Sequence, residues 1–247
     1  MKRALVLKGG TMKGAFVVGA LKAIHNKLEP GYFDAIFSTS VGVFEQAFFA
    51  SGQVYFMENT WKEYVHGRQL INPFINPFNP LRGRAILDLD YLVDLFQSNK
   101  SKLDIPAMKN SPYKLINFVM DYETGEIVAM DLKENDVFQV MKATCALPYA
   151  YPKKVMINGR RYLDSWIAPN EKFKKVLEKE LAEYDEVIAI VNNEHFDEVL
   201  GDLPNYIIRP SIMPLLYSFD TNRERLTKTI EQGEIDAGKY LNSLSNP

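Results

Sequence analysis

Three short segments hold residue types that can do chemistry, and each has a plainer reading beside the chemical one. Gly9-Gly10-Thr11-Met12-Lys13-Gly14 ends an apolar run and opens a helical pattern. Glycines let a backbone approach a ligand closely, and a helix N-terminus offers unpaired N–H groups to negative charge. A phosphate-binding P-loop needs Gly-Lys-Ser/Thr at its end, and a dinucleotide fingerprint needs G-x-G-x-x-G. The spacing here is G-G-x-x-x-G, so neither fits. Backbone donors for an oxyanion remain open. Ser38-Thr39-Ser40-Val41-Gly42 lies between a strand-like run and an apolar helical stretch, the context of a nucleophile elbow, G-x-S-x-G. Its plainer reading is a Ser/Thr helix cap. Asp164, in Tyr162-Leu163-Asp164-Ser165-Trp166, is either a solvated turn former or a general base at a strand end.

The elements that must position these residues read as an α/β chain. Arg3 to Leu7 and Phe33 to Phe37 are short buried strands. Between them Phe16, Val17, Ala20, Leu21, Ile24 and Leu28 recur at helical spacing. Two buried strands joined by a helix imply a parallel βαβ unit and an α/β sandwich. Further along, Asp88 or Asp90 caps a helix through Phe96. Hairpins are expected at 115–130 and around Asn158-Gly159, with short helices at 137–145 and 171–181. Val187 to Val191 reads as a central strand, Ile207-Ile208 as another, and about 221–244 as a terminal helix. No linker is visible, so 1–247 is expected to be one domain.

Residues 67–85 differ, because a doubled Ile-Asn-Pro-Phe sustains neither helix nor strand. They read as a long loop with apolar anchors, or as a lid over a site that carries Phe74, Ile75 and Phe78.

Composition bounds the partners. The 247 residues carry Lys+Arg 29 against Asp+Glu 31, a formal net charge of −2, which gives no basic footprint for nucleic acid. The single Cys145 makes no internal disulfide. No targeting segment is visible and no run approaches the ~20 apolar residues of a spanning helix, so the expected location is cytoplasmic. No Cys/His/carboxylate cluster has metal spacing, and neither metal nor cofactor is expected.

Taken together, the segments resemble the bacterial patatin-like phospholipase family. Its pattern is G-G-G-x-R/K-G, then G-x-S-x-G, then D-G-G/A. Val6 through Gly10, Gly19 through Leu21, Leu87 through Leu92, Ala143 through Pro148 and Pro152 through Asp164 are also similar to its members. The resemblance covers most of 3–192 and fades in the last fifty residues. It implies a three-layer sandwich with a mainly parallel central sheet and a Ser-Asp dyad without catalytic histidine. Ser40 would be nucleophile and Asp164 its base. Backbone N–H groups around Gly10, Thr11 and Met12 would form the oxyanion hole within the Gly9–Gly14 turn, with Lys13 at the family's basic position and Ser38 and Gly42 flanking the elbow.

Three positions depart from the family pattern: Thr11, Ser38 and Ser165 each stand where glycine is usual. A non-glycine residue pays ~1 kcal/mol or more wherever φ must be positive. Trp166 also places a large ring beside the aspartate.

The expected function is a serine acyl hydrolase for lipid or phospholipid esters, with lipid as its partner through peripheral membrane contact. The alternative is a catalytically degenerate member that binds lipid or protein. Ser40, Asp164 and His195 also stand in the chain order of an α/β-hydrolase triad. However, Ser40 follows only two strands, and His195 reads as a surface loop residue.

Overall fold

β1 (Arg3–Leu7) sends alternate residues into two separate cores, which fixes the architecture. Leu5 and Leu7 join one apolar cluster, while Ala4 and Val6 join the other. A strand buried on both faces belongs to the middle layer of a sandwich. The structure, a computed structural model, describes residues 1–67, 69–71, 85–192, 196–212 and 216–244. Most of the expected lid, including Phe74, Ile75 and Phe78, lies outside the described residues, as does His195.

Among the described residues, eight strands form one sheet. β2 (Ala35–Thr39) and β7 (Glu186–Ile190) flank β1 in parallel, and β8 (Tyr206–Ile208) continues beyond β7. On the other side β2 pairs in parallel with β3 (Lys114–Asp121), which also meets β4 (Ile127–Asp131) and β6 (Arg160–Asp164) antiparallel. β5 (Val155–Ile157) completes a hairpin with β6. Its turn is Asn158-Gly159, both at positive φ as that dipeptide favours. The mainly parallel order is the one expected, with antiparallel pairing confined to the β3–β6 end.

One face of the sheet carries α1 (Gly14–Lys27), α2 (Gly42–Ala50), α3 (Val54–Glu63), α4 (Leu89–Gln97), α5 (Ile105–Lys109), α6 (Val137–Thr144) and α9 (Arg223–Leu244). The opposite face carries α7 (Asn170–Leu181) and α8 (Asp197–Leu200), through Phe173, Leu177, Val199 and Leu200. α3, α5 and α8 were not expected from apolar spacing. Caps follow side-chain chemistry: Asp88, Asp104 and Asp136 each accept backbone N–H bonds at the starts of α4, α5 and α6.

α1 and α9 approach more closely than side chains allow. A Cβ on Gly19 would lie 1.8 Å from the Ile230 carbonyl oxygen, and one on Gly233 would lie 2.1 Å from that of Phe16. This reciprocal contact locks the C-terminal helix against the helix that follows the glycine turn.

β1 and β2 end side by side. The glycine turn leaves β1 and the Ser38–Gly42 segment leaves β2, so both lie at the carboxyl ends of parallel strands, where open α/β sheets bind ligands.

Candidate active site

Ser40 stands in the sharp turn between β2 and α2, at φ 50. A left-handed conformation is uphill for any residue but glycine, so it marks a constrained position. The plainer reading as a helix cap does not hold. Val41 is the cap residue of α2, and no side chain bonds the first amides. The Ser40 hydroxyl is therefore free of a structural role there.

Asp164 reaches the same place because of β3. Phe118 is registered with Thr39 on one edge and Ala129 on the other. The next residue, Val119, is registered with Asp164 and Val128. β4 occupies one edge of β3 throughout, so β2 and β6 follow one another along the opposite edge. The ends of both strands then meet, and Ser40 and Asp164 with them.

Asp164 is only 1% exposed. Its Oδ1 accepts the Trp166 backbone N–H at 2.9 Å. Burial pushes its carboxyl up to about 6, against the pull of the Trp166 N–H, the Ser40 hydroxyl and the Lys8 ammonium. The Ser40 hydroxyl therefore lies near enough to favour the ionised form, yet Oδ2 has no partner with full hydrogen-bond geometry. Looser alignment of this kind is common before substrate binds. Cys145 lies beside the pair, a buried thiol pushed upward by burial and by the Asp164 charge.

The glycine turn is pinned from several sides. The Gly9 N–H donates to Thr39 Oγ1 at 3.1 Å, and Asn192 Nδ2 donates to the Lys8 carbonyl at 3.1 Å. The Met12 N–H donates to the Ser218 carbonyl at 3.1 Å, and that of Lys13 to the Gly10 carbonyl. Among the described residues the Gly10 and Thr11 N–H groups have no acceptor. Of the amides expected around an oxyanion, these two are left open, and Met12 is committed to the C-terminal segment.

Ser40 opens onto two different spaces. On one side is a polar mouth that Lys8, Gly10, Thr11, Asp164, Trp166 and Ser218 share. On the other is a narrow apolar cavity of about 30 Å³, walled by Met12, Phe44, Phe48, Leu92 and Phe96. Glu45 lies behind the wall, fully buried, with neither carboxyl oxygen well partnered. Burial pushes it well above the ordinary glutamate value, against its own backbone N–H and the Trp61 indole.

The family model for patatin-like phospholipases matches residues 5–173. The chain belongs to the patatin-like phospholipase family. VipD from Legionella pneumophila is similar in structure, with 12% identity, 98% of this chain and 67% of VipD covered, and a TM-score of 0.55. The type III effector ExoU has 12% identity over 100% of this chain and 54% of its own, with a TM-score of 0.55. In the ExoU–SpcU complex of Pseudomonas aeruginosa the figures are 17%, 98% and 51%, with a TM-score of 0.53. At these identities the likeness is one of fold, and the chain spans half to two thirds of those proteins. Among curated proteins none matches the chain in sequence.

Within the patatin-like pattern the three missing glycines prove unequal. Thr11 sits at φ 52 and carries the expected strain. Ser38 and Ser165 do not have positive φ, so no such cost arises at either. Ser38 instead hydrogen-bonds Asn117 at 2.7 Å under the elbow. Lys8, Asn192, Ser218 and Glu45 were not singled out in the sequence. Only Lys8, as a charge inside an apolar-to-glycine boundary, carried a signal. Among the described residues no group of three or more His, Cys, Asp or Glu side chains is placed to hold a metal.

Proposed function

We propose that this chain is a serine acyl hydrolase acting on lipid esters, with Ser40 as nucleophile and Asp164 as general base. The observation that carries this reading is that Ser40 lies at the junction of the polar mouth and the apolar cavity, facing a buried carboxylate. An acyl chain would fill the cavity and present its ester carbonyl to Oγ. The Ser40 proton passes to the unpartnered Oδ2 of Asp164 as the Oγ–carbon bond forms. The carbonyl oxygen becomes an oxyanion held by the Gly10 and Thr11 N–H groups, each donor being worth roughly 3 kcal/mol. Asp164 then returns the proton to the departing alkoxide, leaving an acyl-Ser40 ester and a free alcohol. Water, deprotonated by Asp164, attacks that ester and releases the fatty acid. A carboxyl of pKa about 6 is ionised at neutral pH and still basic enough for this exchange.

Trp166 and Phe219 line the mouth and are exposed, and Tyr149 and Tyr217 are exposed on the segments that carry the lining residues Leu147 and Ser218; this aromatic rim supports contact with a membrane surface. Among the described residues no helix is long and apolar enough to cross a membrane. The single free thiol, Cys145, fits a reducing cytoplasmic setting.

A second reading, a lipid-binding member without turnover, is favoured by Thr11 at φ 52 and by the Met12 N–H being taken by Ser218. Fluorophosphonate labelling decides between them. Labelling of the parent protein that disappears in Ser40→Ala supports the hydrolase. A folded parent protein that takes no label leaves the binding reading.

A further inference from the structure

Lys8 is a buried cation that the proposed chemistry does not use. It follows β1 directly and is 4% exposed. Its Nζ lies 4.4 Å from the centroid of the Trp166 ring and 4.8 Å from that of Phe196. Among the described residues no acidic side chain comes within ion-pair distance of it, and no acceptor takes its three N–H donors. Aromatic faces recover only part of what an ammonium loses on leaving water. The residue lines the same mouth as Ser40 and Asp164. Its opposite charge is Asp164, felt at a distance but not ion-paired, so a cation with its donors unspent is equipped for an anion that arrives from outside.

We propose that Lys8 is the anion-recognition residue of this site, taking the negatively charged headgroup of a lipid ester whose acyl chain lies in the apolar cavity. The inference rests on the hydrolase reading and narrows its substrate class. An anionic lipid must bring its charge up to a site whose base is itself a carboxylate, Asp164. Without a nearby cation that approach is repulsive, and it would also hold Asp164 protonated. Lys8 offsets both effects. The charged groups that act on Lys8 are Asp164, which favours its protonated form, and Lys13, which opposes it. Burial brings its ammonium down to about 8, so it stays charged at neutral pH. The shared chemistry is a phosphate or carboxylate, and the source is either a lipid headgroup or a free anion.

The test uses Ser40→Ala protein, so that binding is read without turnover. Calorimetric affinity is measured for a short-chain lysophosphatidate, for the monoacylglycerol with the same acyl chain, and for inorganic phosphate. Adding Lys8→Met should weaken lysophosphatidate roughly ten- to a hundredfold, the cost of one charge-assisted contact, and leave monoacylglycerol within about twofold. Lys8→Arg should retain most of the lysophosphatidate affinity, and thermal melting of each variant confirms that it is folded. Equal losses for both lipids, or no loss for either, overturn the proposal. Phosphate binding as tight as that of lysophosphatidate gives the site to a free anion and overturns the lipid assignment. Monoacylglycerol bound while lysophosphatidate is not removes the role of Lys8 alone, and binding of neither lipid removes the lipid reading as well.

Discussion

Gly9 and Ser40 approach so closely that a Cβ on Gly9 would lie 2.5 Å from the Cβ of Ser40 and 2.4 Å from the Thr39 carbonyl oxygen. One of these neighbours is backbone, so no rotamer change relieves the clash. Gly9→Ala should therefore displace the elbow from the open Gly10 and Thr11 amides. A misplacement of about 1 Å costs on the order of a hundredfold in rate. Fluorophosphonate labelling rates in the parent and the variant measure this, and an unchanged rate would show that the turn does not set the position of Ser40.

The activity should rise with pH through the titration of Asp164. Its carboxyl must be ionised to accept the Ser40 proton, and burial places that step at about 6. The kcat/KM for a neutral short-chain ester should fall about tenfold per pH unit below this point. For an anionic ester a second decline is expected as Lys8 loses its proton at about 8. The neutral ester should lack that alkaline limb. Identical profiles for the two esters would contradict a charge-specific role for Lys8.

Glu45 should make the protein less stable as pH rises. Its folded-state pKa lies well above the ordinary value of 4.5 because of burial, so the folded chain keeps a proton that the unfolded chain releases. Stability from this group is full below the unfolded value and is lost as pH rises toward the folded one, at up to about 1.4 kcal/mol per pH unit. Glu45→Gln removes the ionisation. Its melting temperature should exceed the parent's at pH 8, and the difference should shrink or reverse near pH 4. Parallel melting curves across that range would count against a neutral buried acid.

The aromatic rim should matter for surfaces rather than for soluble substrate. Tyr149 and Tyr217 are exposed and lie outside the apolar cavity. Replacing both with Ser should weaken vesicle sedimentation about tenfold, by removing apolar area that enters the interface. Hydrolysis of a soluble ester should hold. Unchanged sedimentation would remove the rim from the membrane contact.

The sequence was informative where chemistry is local, and silent where it depends on register. β1, α1, β2 and the Asn158-Gly159 turn follow from apolar spacing and turn preference, since both are properties of neighbouring residues. In the sequence Ser40 is balanced between cap and nucleophile, because the choice turns on a backbone angle and on which residue caps α2. Thr11, Ser38 and Ser165 look equivalent as replaced glycines, yet only the first needs positive φ. The Met12–Ser218 contact joins the glycine turn to the C-terminal fifty residues, where the family pattern fades. The pairing of Glu45 with a buried site has no local sign, since a glutamate in the first turn of a helix is ordinarily solvated and favoured by the helix dipole.

The placement of β2 and β6 along one edge of β3 also sets when during synthesis the site comes into being. A chain made from its N-terminus carries the elbow early, but β3 must follow before there is an edge for Asp164 to join. Until β6 docks, Asp164 has no fixed place beside Ser40. Ser40 and Asp164 are thus brought together only once β6 is made, and β7 and β8 join the sheet beyond β1 later still, so the juxtaposition precedes completion of the sheet.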